Sequence, residues 1–318
     1  MTKEETRDVR RSVGRVSRFV MFYTILFTLA SFVALVGFTV DALLEDPDAS
    51  LQALEQLMFT RAGETSLASL AVGLAFVLLW RRRRLFSEDL RNPERRPMRW
   101  QVLAAAIVLL FSCQLLASIV DPFIKSLAGA LGFSNYSSMD SLNDTPTSLS
   151  LILYAGVLGP IMEEIVFRGV ALSGLRRYGK VFAIVTTAIL FGFFHSDLNQ
   201  GIFAVAAGLV FGYIAIEYHI GWAMLLHILN NFGLSLLMGA LVAPFSESAQ
   251  NTVMLGVNIV IGGIGGALIL WHNRSAIAAY RQANRAPAGT VRACWTTPSF
   301  LFFIALELVM MALAFTQM

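Results

Sequence analysis

Eight long uncharged runs, parted by short charged connections, restrict this chain to very few folds. Arg18 and Asp41 enclose 22 uncharged residues, Glu64 and Arg81 enclose 16, Arg99 and Asp121 enclose 21, and Asp144 and Glu163 enclose 18. The series continues with 16 between Lys180 and Asp197, 19 between Asp197 and Glu217, 29 between Glu217 and Glu247, and 26 between Glu247 and Arg274. A last apolar stretch, Pro298 to Met318, is interrupted by Glu307. Runs of roughly twenty apolar residues cross a bilayer as helices, because only a helix satisfies its own backbone in hydrocarbon. Length alone would suggest about two soluble domains. A chain that is 56% hydrophobic and 14% charged cannot cover a soluble surface. The expectation is an all-α, polytopic transmembrane helix bundle of eight or nine membrane helices with an intramembrane polar pocket. The first run is too long for a signal-peptide core and is read as a retained helix.

The basic residues orient the bundle. Six lie at the N-terminus up to Arg18, eight between Arg81 and Arg99, four from Arg168 to Lys180, and four from Arg274 to Arg292. Only Arg61 and Lys125 fall in the intervening connections. Lys and Arg collect on the cytoplasmic side, so the N-terminus is expected inside, in a bacterial plasma membrane, with anionic lipid beside the arginine runs. These clusters lack interleaved aromatics and flank membrane spans, so no nucleic-acid partner is expected. The acidic connection from Asp41 to Glu64 and the polar stretch Asn135 to Thr147 are predicted to be external. Leu51, Leu54, Leu57 and Met58 follow Ser50 at helical spacing and predict a short amphipathic helix, on the membrane surface or packed over the bundle. The run Gly262-Gly263-Ile264-Gly265-Gly266 predicts a close helix crossing. Cys113 and Cys294 are expected far apart and unpaired. The chain is read as three segments: 1–148 with the N-terminal cytoplasmic segment and helices one to three, 149–240 as a core of four helices, and 241–318 as C-terminal helices.

Ionisable groups at membrane depth are costly and mark function by default. Gly159-Pro160-Ile161-Met162-Glu163-Glu164-Ile165-Val166-Phe167-Arg168 holds two adjacent acids in an apolar run. Adjacent helical residues point about 100° apart, so the two acids cannot share a role. Arg168 lies four residues after Glu164, the spacing of a helical ion pair, which leaves Glu163 without a local partner. Pro160 should bend the helix and free a carbonyl nearby. His195 follows Phe191 by four, so the ring can buttress the imidazole. Gly179 is the midpoint between 163 and 195, and a hairpin turning there sets Glu163 and His195 at the same depth, ~20 Å from the turn. His227 and Asn231 share a helix face, with Asn230 beside them, and Asn231 lies ~18 Å below a turn near His219. Four groups from three helices can therefore meet. Glu163 would deprotonate a water held by His195. His227 and Asn231 would donate to the oxyanion formed when that water attacks a carbonyl. Glu307 is given no role, and His219 and His272 are read as interfacial.

Glu-Glu-x-x-x-Arg at Glu163, Glu164 and Arg168, Phe-x-x-x-His at Phe191 and His195, and His-x-x-x-Asn at His227 and Asn231 resemble the motifs of the CPBP (CAAX protease and bacteriocin-processing, or Abi) family. The resemblance covers about Leu149 to Gly239. It implies an intramembrane glutamate-type endopeptidase, with Glu163 and His195 activating water, His227 and Asn231 forming the oxyanion hole, and Glu164, Arg168, Phe191 and Asn230 supporting them. The expected partners are a peptide or membrane-protein substrate and membrane lipids. No cofactor is implied. Glu163, His195 and His227 could hold zinc, but no His-Glu-x-x-His run favours it. The other readings are a non-catalytic scaffold or bacteriocin-immunity protein that binds through the same pocket, and a proton-coupled transporter.

Overall fold

The computed structural model describes residues 1–90, 96–135 and 148–317. It is an α-helical bundle with a single small ribbon among the described residues. The first helix, α1 (Lys3–Glu45), starts at a capping box in which Thr2 and Glu5 each bond the other's backbone N–H. Sequence reading separates a basic N-terminal segment from the first membrane span, but the structure makes them one 43-residue helix. The reason lies in Val9, Val13, Val16 and Val20, which recur on one face and are buried. The other end of α1 turns Leu29, Phe32 and Val33 outward, the pattern of a lipid-facing helix.

The chain continues through α2 (Leu51–Thr60), capped by the Ser50 hydroxyl on the Ala53 N–H, and α3 (Ala62–Arg81). Helix α2 buries no residue. Beyond a π-helical turn at Leu85–Asp89 come α4 (Trp100–Ala130) and strand β1 (Phe133–Asn135). The external loop expected at Asn135 to Thr147 lies almost wholly outside the described residues. A composite helix, α5 (Leu149–Tyr178), turns at Gly179 into α6 (Lys180–Phe194). Gly179 has φ +122°, and a Cβ there would sit 2.9 Å from the Ala286 backbone, so the hairpin at the predicted midpoint requires glycine. Then follow α7 (Leu198–Glu217), α8 (Ile220–Val242), α9 (Ser248–His272), α10 (Arg274–Ala283), α11 (Thr290–Trp295) and α12 (Pro298–Leu313). Strand β2 (Phe315–Gln317) pairs antiparallel with β1.

Seven helices are long and apolar enough to cross a membrane, and α6 and α12 are shorter apolar helices. The protein is thus a multi-pass membrane helix bundle. The glycine run of α9 meets α4 closely. A Cβ at Gly262 would approach the Phe111 carbonyl to 2.4 Å, and Ser112 Oγ donates to the Gly262 carbonyl at 2.7 Å. Such contact lets van der Waals packing hold helices where no hydrophobic force acts.

At one end of the bundle the Glu217 carboxylate, buried at the foot of α7, gathers three partners. Lys180 Nζ and the Tyr280 hydroxyl each lie 2.8 Å from Oε1, and Arg96 Nε lies 3.6 Å from Oε2. Arg96 also donates its backbone N–H to the Glu217 carbonyl. One acid thereby ties α6, α7, α10 and the segment before α4. Burial and the Glu217 carboxylate push the Tyr280 hydroxyl pKa up.

Candidate active site

Helix α5 is not a uniform α-helix. A π-helical stretch at Tyr154–Leu158 precedes the acids and another at Ile165–Ala171 follows them. In the first stretch the Gly159 N–H bonds the Tyr154 carbonyl, five residues back. The next bond in that register would run from residue 160 to the Ala155 carbonyl, but Pro160 has no N–H. The freed carbonyl is that of Ala155, and Asn231 Nδ2 donates to it at 3.1 Å. The proline therefore supplies the anchor for a side chain from α8. Asn231 and its neighbour Asn230 stand on a third π-helical stretch, Leu229–Leu234.

Between the first two stretches, Glu163 and Glu164 diverge as helical geometry requires. Glu164 is fully buried, and its Oε1 lies 2.8 Å from Arg168 Nη1. The same oxygen lies 2.9 Å from His227 Nδ1 on α8. One carboxylate oxygen thus fixes both a guanidinium and an imidazole. Arg168 is further held by the Gly208 carbonyl at 3.4 Å, and its guanidinium stacks over the Phe191 ring at 4.3 Å and near Phe211 at 5.4 Å. Buried ion pairs persist when neighbours satisfy the remaining atoms. Here satisfaction is incomplete: Glu164 Oε2 and Arg168 Nε have no hydrogen-bond partner among the described residues.

Glu163 is less buried, with a side chain 19% exposed. Its Oε2 lies 3.6 Å from His227 Nε2, so the His227 ring sits between the two acids. The ring is stacked on Phe211 at 4.7 Å and meets the Phe191 edge at 5.9 Å. The sequence assigns His227 to an oxyanion hole with Asn231, but does not anticipate its direct bond to Glu164. Asn231 is itself the end of a relay. Gln114 Nε2 on α4 reaches Asn230 Oδ1 at 3.4 Å, and Asn230 Nδ2 donates to Asn231 Oδ1 at 3.0 Å. An amide carries two N–H donors, so the bond to Ala155 leaves Asn231 one more.

His195 closes the carboxyl end of α6. Its Nδ1 lies 2.8 Å from the Phe191 carbonyl, and its ring meets Phe191 edge-on at 4.8 Å and Phe194 at 5.5 Å. With Nδ1 occupied, Nε2 is the free ring nitrogen, and Glu163 and His227 are both within electrostatic reach. The eight residues expected at the site thus come from α5, α6 and α8 and converge on one region. Tyr23 of α1, buried, and Tyr154 of α5, partly buried, complete its surroundings, each within electrostatic reach of Glu163. Gln114, Phe211, Tyr23 and Tyr154 are not singled out by sequence reading. Gln114 carried a signal, being an amide in the middle of an apolar span, whereas Phe211 and the tyrosines look like any aromatic of the core. Among the described residues, no three His, Cys, Asp or Glu side chains group as a metal cage.

Residues 145–233 match the family model described as Type II CAAX prenyl endopeptidase Rce1-like. Residues 17–157 match a second model, Domain of unknown function (DUF5671). The chain is 25% identical over 218 residues to the Bacillus subtilis (strain 168) protein named "Putative membrane peptidase YdiL", which covers 67% of this chain and 85% of that protein. No solved structure matches significantly.

Proposed function

Because this chain belongs to the CAAX protease and bacteriocin-processing family of membrane peptidases, we propose that it is an intramembrane endopeptidase of the glutamate type, working without a cofactor. The observation that carries the reading is the His227 ring held between two acids, one buried and bonded through a single oxygen to Arg168 and His227, the other partly open. Glu163 takes a proton from a water that His195 Nε2 orients. The water oxygen bonds the carbonyl carbon of the scissile peptide, and the carbonyl oxygen gains the negative charge. His227 Nε2–H and the second N–H of Asn231 donate to that oxyanion, each worth on the order of 10²–10³ in rate. The N–H on His227 Nε2 belongs to the imidazolium, the form in which both ring nitrogens donate. The C–N bond then breaks, and the proton on Glu163 passes to the leaving amine. Glu164 and Arg168 hold His227, Asn230 holds Asn231, and Phe191 holds His195 and Arg168.

The seven long spans and the two shorter apolar helices support eight or nine crossings, and the segment 149–240, which carries the site residues, is the catalytic core in this reading. The distribution of Lys and Arg supports a cytoplasmic N-terminus in a bacterial plasma membrane. The substrate is a peptide or membrane-associated protein. The test uses protein purified in neutral detergent and two internally quenched peptides with the same CAAX terminus, one farnesylated and one not, alongside a digest-free membrane-protein extract read by new N-termini. Cleavage that disappears in Glu163→Gln and His195→Ala, with both variants folded, is the expected result. Turnover by both variants at the wild-type rate would refute the mechanism.

A further inference from the structure

A cavity of about 320 Å³ opens between α1, α3 and the C-terminal part of α5. Arg15, Arg81, Arg84, Arg176 and Arg177 line it. Its apolar wall is formed by Phe19, Trp80 and Val170, with Phe19 and Trp80 rings 6.1 Å apart. Two carboxylates offset this charge: Glu88 lies 4.0 Å from Arg84, and Asp8 lies 2.9 Å from Arg177. Arg15 and Arg176 meet no carboxylate among the described residues. The chain holds the arginines together at a conformational cost. Helix α3 stops at Arg81, where Arg82 adopts φ +49°, uncommon for a residue with a side chain, and Arg81 and Arg84 on either side of it line the cavity.

We propose that this cavity binds a phosphate group, borne by a lipid headgroup or by a soluble phosphate ester. Guanidinium forks match phosphate oxygens in pairs, and several forks converging on an aromatic wall suit a headgroup whose chains lie along the exposed Phe22 and Trp80. The test follows the thermal midpoint of the full chain in neutral detergent against added phosphatidylglycerol, phosphatidylcholine or inorganic phosphate. Phosphatidylglycerol should raise the midpoint, and Arg15→Gln with Arg176→Gln should weaken its apparent affinity about tenfold, the loss of charged hydrogen bonds. If inorganic phosphate alone reproduces the shift, the site takes soluble phosphate. Equal shifts with phosphatidylcholine, or undiminished binding in the double variant, overturn the proposal. Should that variant unfold, Arg15→Gln alone, at an exposed side chain, gives the same reading.

A separate observation concerns the turn that carries His195. Ser196 has φ +51°, an uncommon conformation for a residue with a side chain. Its hydroxyl donates to Glu307 Oε2 at 2.6 Å, and Glu307 is 1% exposed on α12, outside the matched family segment. We infer that Glu307 is a positioning residue that fixes His195 through Ser196; this rests on the proposed role of His195. Histidine-selective NMR tests it, since the chain has four His and His195→Gln assigns the signal. The His195 signal should broaden or shift in Glu307→Leu and Ser196→Ala and stay in place in Glu307→Gln, which keeps the acceptor. Peptide turnover should follow the same order, with kcat falling about tenfold and KM unchanged. An unmoved His195 signal in both disruptive variants overturns the inference, whereas moved signals without any turnover in wild type would fault the proteolytic reading instead.

Discussion

Two acid clusters in this bundle hold their cations in opposite ways. Glu217 is surrounded by Lys180, Tyr280 and Arg96, and its own carbonyl is also taken. Nothing around it is left to do except hold. The Glu163–Glu164 pair is organised as tightly, yet it leaves Glu164 Oε2 and Arg168 Nε unmatched among the described residues and sets Glu163 at 3.6 Å from a His227 nitrogen. Saturation marks a structural tie. Unspent donors and acceptors, kept at depth by neighbours that are themselves fixed, mark a place built to receive something.

The sharpest way to break that comparison is to change one acid in each region. Glu163→Gln should lower kcat about 10²–10⁴-fold while the thermal midpoint stays near wild type, because general acid–base catalysis contributes that much and the side chain is only partly buried. Arg168→Leu should cost about 3–5 kcal/mol of stability, measured by detergent-phase unfolding, since it strands a carboxylate that is fully buried. Glu217→Gln should cost less, about 1–3 kcal/mol, and leave turnover per folded molecule unchanged. If Glu217→Gln instead removes turnover with stability intact, the distinction between tie and site fails. Gln114→Leu should weaken the site by about 1 kcal/mol through Asn230, seen as a small fall in kcat. The smallest effect concerns Cys294. Burial pushes its thiol up to about 12, so at pH 8 the thiolate fraction is about 10⁻⁴, and maleimide should label it only after unfolding.

Much of the site is legible in the sequence because its strongest relations are local or symmetrical. The Glu164–Arg168 pair is an i,i+4 relation, and the Gly179 hairpin follows from counting residues either side of a glycine. What escapes is rotation about helix axes. Depth sets Asn231 level with Glu163, but only the structure brings the Nδ1 of His227, one turn away, to Glu164. The π-helical stretches are equally hidden, since a one-residue widening leaves the apolar pattern of α5 unchanged. Pro160 signals that a carbonyl is freed, but not that Asn231, 71 positions later, collects it. The helical continuity of the N-terminal part of α1 is hidden for a different reason. Uncharged runs measure the contact with lipid, whereas Val9, Val13 and Val16 pack against protein beneath a charged surface.

The bond from Asn231 to the Ala155 carbonyl also bears on how a substrate arrives. Parting α5 from α8 would break it and leave a bare carbonyl in hydrocarbon, at a cost of several kcal/mol that the broken proline register cannot recover. That seam therefore resists parting.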